Sequence, residues 1–384
     1  MRGSLTTGDM DYELIEDPER LRTLVSELRA EPLLGVDTEA AGYHRYFDRL
    51  SLVQVSSRTT HWLIDPFAVG DLSPLGEVLG DPAIEKIFHD ADYDVRILDR
   101  DAGLHLSGLF DTQIAAAFLG EKQLGLGNIA EKYLGLKLPK EFQRADWAER
   151  PLSEGMKQYA ASDTAHLPEL RDRLRAALEE RGRLHWAQEE FIRREGTRWT
   201  EPEDGREAYM RTKGARDLTP RGLAILRELH EWREGVARER DQATFRILGN
   251  QALLEMSASP PPSARDLPSV NGISEGLAQR RGRDIMAAVQ RGLDVPEAEL
   301  PRWPRSPRWE RDPEQEARVE TLRDVRARAA ETLELDPGFL MSRALLDELA
   351  RVQPRTREEL ERVPGIRAWQ VEAVGDVMLK ALSR

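Results

Sequence analysis

The chain is 384 residues long, enough for two or three domains that each bury a core, and it contains no cysteine, which excludes disulfides, thiolate metal sites and cysteine nucleophiles. Its 69 acidic residues against 56 basic ones leave a formal charge of −13, the wrong sign for holding nucleic acid by bulk electrostatics, so phosphate contacts would have to come from local arginines. No run approaches the roughly 18–20 apolar residues of a membrane span, and the N-terminal stretch lacks an apolar run of signal-peptide length, so a cytoplasmic protein is expected.

Asp17-Pro18 predicts a helix start, with an aspartate cap and a proline in the first turn, and Pro32 lies beyond its end. Strands are expected near 33–39, 49–56 and 60–65, the first two separated by Ala40-Ala-Gly-Tyr-His-Arg45. Apolar segments at 84–88 and 108–110 alternate with helical stretches near 72–79, 91–101 and 112–119, which predicts an α/β layered domain with a mixed sheet. Residues 125–135 read as a further helix and 153–181 as a long one, which Pro168 should kink or interrupt.

From 196 to 215 the composition turns polar and a linker is expected; beyond it the pattern is helical and repeats itself. Leu267-Pro-Ser-Val-Asn-Gly272-Ile273 followed by Gly282 returns as Leu360-Glu-Arg-Val-Pro-Gly365-Ile366 followed by Gly375. Upstream, Phe245 with Ala252–Leu254 is echoed by Phe339 with Ala344–Leu346. An offset of about 93 residues is too long for a stacking solenoid and means two small all-α domains of similar fold. Pro301-Arg-Trp-Pro-Arg-Ser-Pro-Arg-Trp-Glu-Arg311 joins them. Trp303 and Trp309 there are candidates for base stacking, against the reading of a stiff spacer whose tryptophans pack on its neighbours. Arg281 and Arg283 are candidate phosphate contacts, against a solvated helix face.

Candidate chemistry lies in the first half. Asp37 and Glu39 leave the apolar run Leu33–Val36, and the period-2 pleat of a strand points both to one face. Tyr159 and Asp163 stand four apart in a helical stretch and share a face as well. Asp94 opens the helical run Val95, Ile97, Leu98, and Asp90 and Asp92 compete with it. Convergent carboxylates are what Mg²⁺ or Mn²⁺ prefers, and two such ions about 3.5–4 Å apart form a clamp for in-line attack on phosphodiesters. A lone Asp-x-Glu is usually an ordinary strand exit; the ordered set carries the signal. His89, beside a buried strand, reads as a structural hydrogen-bonding residue.

That order, Asp37-x-Glu39, His89 and Asp94, then Tyr159 and Asp163, resembles the three exonuclease motifs of the DEDD superfamily in its tyrosine branch. The flanking stretches Leu50–Val55, Phe110–Phe118 and Asp146–Leu152 are similar to the ribonuclease D family, and the two helical repeats resemble HRDC domains. The resemblance decides for Asp94 over its neighbours. It implies a ribonuclease-H-like α/β exonuclease domain at 1–195, a linker at 196–215, HRDC-like domains at 216–296 and 313–384, and the spacer 297–312 between them. It further implies two divalent ions, Mg²⁺ or Mn²⁺: Asp37 would bridge them, Glu39 and Asp163 would complete one shell, and Asp94 would serve the other partly through water. Tyr159 would orient the attacking water, and nucleoside 5′-monophosphates would leave the 3′ end.

The expected partner is RNA with a free 3′ end, such as tRNA precursors, handled by a monomer. Leu52, Gln54 and Gln113 are candidates for the substrate pocket, and the HRDC-like domains for nucleic-acid contact. The rival readings are a DNA-directed exonuclease of the same superfamily, an inactive RNA-binding scaffold, and a tail that recruits a protein partner.

Overall fold

The computed structural model describes residues 10–201, 205–303 and 312–383. Six strands, β1 (Glu13–Ile15), β2 (Leu33–Ala40), β3 (Leu50–Ser56), β4 (His61–Ile64), β5 (Glu85–Phe88) and β6 (Leu109–Asp111), form one sheet in the order β1-β4-β3-β2-β5-β6. The β2–β3 and β3–β4 pairs are antiparallel; β1–β4, β2–β5 and β5–β6 are parallel, so the sheet is mixed as expected. Five of the strands match apolar runs. β1 was not anticipated, because three residues with only Ile15 buried carry no period.

All seven residues of β3 are buried, since helices cover both faces of the sheet. The expected 153–181 helix is two, Glu154–Ala165 and Leu167–Glu180, broken at His166 with Pro168 in the first turn of the second. The missing N–H of a proline is harmless there and disruptive mid-helix. Parallel strands β2 and β5 deliver their C-terminal ends to one edge, where the Asp92–Ala102 helix starts.

The two helical repeats share backbone detail. Gly272 and Gly365 take φ of +91° and +89°, a region that suits glycine, and in each turn the isoleucine N–H bonds the valine carbonyl three residues back. Gly282 and Gly375 bring their helices against Leu267 and Leu360; an added Cβ would lie 3.2 and 3.3 Å from those side chains. The first repeat has its own core around Leu223, Leu226, Leu253 and Ile285. Tyr209 and Ala215 are buried in that core, so the latter part of the stretch expected as a linker is packed structure. Its polar composition hid these two anchors.

The second repeat shares a continuous core with the sheet domain. Trp369 meets Phe118 edge-on at 4.9 Å, and the Glu189 carboxylate accepts the backbone N–H groups of Ala368 and Trp369, both at 2.8 Å. A carboxylate from one domain thus caps the Ala368–Leu382 helix of another, where the helix dipole favours negative charge. No helix of the described residues is long and apolar enough to cross a membrane.

Candidate active site

Asp37 and Glu39 occupy alternate positions on β2, opposite Gln54 and Leu52 of β3, and the pleat turns both acids to the face covered by the Glu154–Ala165 helix. That helix places Asp163 against them. Carboxylate oxygens of Asp37, Glu39 and Asp163 all lie within 4.8 Å of one another. Asp94 enters from the helix after β5: it is 6 % exposed and accepts a 2.5 Å hydrogen bond from Thr38 Oγ1 between the two β2 acids. Asp92 pairs instead with Arg96 and Arg194, and Asp90 is exposed, so of the three neighbouring aspartates Asp94 is the one that meets the cluster.

Four carboxylates are thus gathered, none of them in an ion pair among the described residues. Burial, then the charge of Asp94 and of the other acids, raises Asp37 well above the usual carboxylate range; burial and then Asp163 do the same to Glu39. Asp94 is pushed up to about 7 by burial despite the Thr38 hydrogen bond, and Asp163 to about 7, also by burial. Cations among the oxygens would favour the fully deprotonated set, and hard oxygen donors of this kind fit a divalent metal. Tyr159, one turn before Asp163, is buried with its ring 6.1 Å from that of Trp147. Burial and the charges of Asp163 and Glu39 raise its hydroxyl, so it stays protonated.

Asp37, Asp163 and Tyr159 open into a cavity of about 250 Å³ lined also by His89, Asn128, Lys140 and Gln143. Sequence reasoning assigned none of these four to the site. His89 does make the structural contact expected of it, Nδ1 to Thr112 Oγ1 at 2.9 Å, and it also walls the cavity. Lys140 brings a positive charge to an acidic pocket; a loop of plain polar composition concealed it.

Burial argues against two of the substrate-contact candidates, and the structure places the others as follows. Leu52 and Gln54 are 0 % exposed, covered by the Glu154–Ala165 helix that Ser56 and Thr164 clamp through a 2.6 Å hydroxyl pair, so neither reaches a ligand. Gln113 opens the Thr112–Phe118 helix, where its N–H bonds the Asp111 cap, and it does not line the cavity. Trp303 packs on the first helical core with the Arg216 guanidinium 5.3 Å from its ring, so it is a spacer residue seated on its neighbour. Arg281 pairs with Asp284 on its own helix, and Arg283 is exposed there. Trp309 lies outside the described residues.

Residues 12–179 match the family described as 3′-5′ exonuclease, and residues 222–289 and 315–382 each match the HRDC domain. A ribonuclease D of Pseudomonas paraeruginosa is 32 % identical over 374 residues, covering 97 % of this chain and 98 % of its own. Among solved structures, a Bifidobacterium adolescentis protein covers 97 % of this chain and 100 % of its own with TM-score 0.79 at 28 % identity. Escherichia coli RNase D, described as an exoribonuclease involved in structured RNA processing, covers 97 % of this chain and 99 % of its own with TM-score 0.67 at 29 % identity.

Proposed function

The chain belongs to the ribonuclease D family and is a hydrolytic 3′–5′ exoribonuclease, and from that premise we propose that it trims the 3′ ends of structured RNA precursors, tRNA precursors foremost, with two divalent ions at the carboxylate cluster. The observation that carries this reading is the gathering of Asp37, Glu39 and Asp163 oxygens within 4.8 Å, beside Asp94, with none of the four in an ion pair among the described residues. Mg²⁺ or Mn²⁺, when bound, would supply an activated water at neutral pH and stabilise the leaving 3′ oxygen.

In this reading Asp37, Glu39, Asp163 and Asp94 would hold the ions, with Asp37 shared, Glu39 and Asp163 serving one ion and Asp94 the other. Thr38 holds the Asp94 carboxylate in one orientation. Tyr159, kept protonated by its surroundings, donates a hydrogen bond that orients the attacking water. A tyrosine so far from ionising is a positioning group and not a base. The products are nucleoside 5′-monophosphates.

We assign the chemistry to residues 1–195, with 196–215 leading into HRDC-like domains at 216–296 and 313–384 across the spacer 297–312. The burial of Tyr209 in the first helical core supports a start of that domain nearer 205. The enzyme would act as a monomer in the cytoplasm. The test is digestion of matched 3′-extended RNA, 3′-blocked RNA and DNA with Mg²⁺ or Mn²⁺. Stepwise release of 5′-monophosphates from the unblocked RNA alone is expected. Equal digestion of DNA, or cleavage of the blocked RNA, would overturn the proposal.

A further inference from the structure

Six aromatic side chains of the described residues are strongly exposed, and four of them, Tyr43, Phe47, Tyr93 and Phe245, fall at one place: the seam between the sheet domain and the first helical domain. The loop following β2 builds it. Ala41 N–H bonds the Arg49 carbonyl at 3.1 Å and closes the loop at its base, while the Asp48 carboxylate accepts Gly42 N–H at 3.0 Å and the Tyr93 hydroxyl at 2.8 Å. Compact loops stitched in this way present side chains at little ordering cost. Across the seam, Phe47 N–H bonds Asp241 at 3.0 Å, Arg49 pairs with the same carboxylate at 2.8 Å, and Ala243 N–H bonds the His44 carbonyl.

The exposed rings Tyr43 and Phe245, 47 % and 56 % accessible, approach to 5.8 Å between centroids. The Arg144 guanidinium lies 5.7 Å from the Tyr43 ring, and Arg246 bonds His44 Nδ1 at 2.8 Å. An arginine only donates, so His44 Nδ1 accepts, and His44 Nε2–H donates to the Arg144 carbonyl at 2.7 Å. Three of the nearby acids have internal partners: Asp48 bonds Tyr93 and pairs with Arg100, Asp241 pairs with Arg49, and Asp146 with Arg45. Arg144 and Arg246 have no carboxylate partner among the described residues. The seam therefore combines open aromatic faces with two arginines free of carboxylate partners among the described residues, on a protein that is acidic overall.

The repeat shows that this exposure is a property of the first copy. In the second copy the corresponding Phe339 is stacked on Trp369 with centroids 6.0 Å apart and meets Phe118 at 4.8 Å. With the repeats in register on Gly272 and Gly365, Gly276 stands where the second has Trp369, so nothing covers Phe245. The seam also adjoins the acids: Tyr43 follows Glu39 by four residues, at most about 14 Å of extended chain, Tyr93 precedes Asp94, and Arg144 follows the cavity residue Gln143.

We propose that Tyr43 and Phe245, with Arg144 and Arg246, form a stacking platform shared by the two domains that holds the unpaired RNA strand a few nucleotides upstream of the 3′ end being hydrolysed. Aromatic faces grip single-stranded bases without regard to sequence, and guanidinium groups follow the backbone, which suits an enzyme that must feed through any sequence. The proposal rests on the exoribonuclease reading above.

The test uses the full-length protein on an RNA dinucleotide and on a single strand of about a dozen nucleotides, the length range such surfaces engage. Tyr43→Leu combined with Phe245→Leu keeps apolar bulk at exposed positions but removes both π faces. The ratio of kcat/KM for the long strand to that for the dinucleotide should fall roughly tenfold or more, as expected from losing two stacked bases. Tyr43→Phe should preserve the ratio. Arg144→Gln and Arg246→Gln should each flatten the salt dependence of long-strand binding by about 0.7 in log–log slope. An unchanged ratio in the double leucine variant, with wild-type protein active on both substrates, overturns the platform alone; wild-type protein inactive on both overturns the exoribonuclease reading itself.

Discussion

Asparagine at position 163 should make the metal-free protein more stable at alkaline pH while destroying its activity. Burial pushes the Asp163 carboxyl up to about 7, whereas in the unfolded chain it titrates near 3.9. Between those values the folded state holds a proton that the unfolded chain has released, so stability falls as pH rises through this window. The penalty is absent below about pH 4, about a third developed at pH 5 and complete above about pH 7. Three units at 1.36 kcal/mol each give an upper bound of ~4 kcal/mol. The carboxyl lines the cavity rather than the closed core, and discounting for solvent screening there gives ~2 kcal/mol, or about 4–8 °C in Tm for a domain of this size.

Asp163→Asn keeps the shape of the side chain and removes the charge. Thermal unfolding in excess chelator at pH 5 and pH 8 should therefore show a gain over wild type that grows with pH. Adding Mg²⁺ or Mn²⁺ should raise the Tm of wild type more than that of the variant, because ligand binding to the folded state alone stabilises it by mass action. A variant less stable than wild type by the same amount at both pH values would mean that the carboxylate carries no buried-charge penalty, and the account of the cluster would fall.

Asp37→Asn, at the acid facing all three others, should lower turnover by more than the tenfold that ~1.4 kcal/mol of lost transition-state stabilisation would cause, in a protein that still folds; retention of a tenth of wild-type activity would contradict the sharing of Asp37 between ions. Tyr159→Phe keeps the ring against Trp147 and loses only the hydroxyl, so kcat should fall by about 10²–10⁴-fold with KM little changed, and an unchanged kcat measured on the dinucleotide would make Tyr159 a packing residue. Trp369→Ala empties the joint between the second helical domain and the sheet domain, at a cost of about 3–5 kcal/mol, and should appear in calorimetry as a separate early transition of that domain; a single transition at the wild-type temperature would show that the joint is not held by this side chain.

The pairing of Asp37 with Glu39 and of Tyr159 with Asp163 was legible in the sequence because each is a local matter: the pleat and the helical turn fix which residues share a face regardless of what lies across from them. The same holds for Gly272 and Gly365, whose turn conformation depends on a few neighbouring residues, and for the break before Pro168. Whether a residue on the right face is open to a ligand is not local. Gln54 stands directly opposite Asp37, yet the Glu154–Ala165 helix, more than a hundred residues later in the chain, seals it in. Lys140 and Gln143 come to the acids only because their loop folds back over the cavity, and Trp303 is taken up by a core whose shape the sequence does not display. The exchange of Trp369 for Gly276 between the repeats is visible in the sequence, but only tertiary packing showed that one repeat spends its phenylalanine on docking while the other leaves it at the seam, since what covers a side chain is set by contacts between segments far apart in sequence.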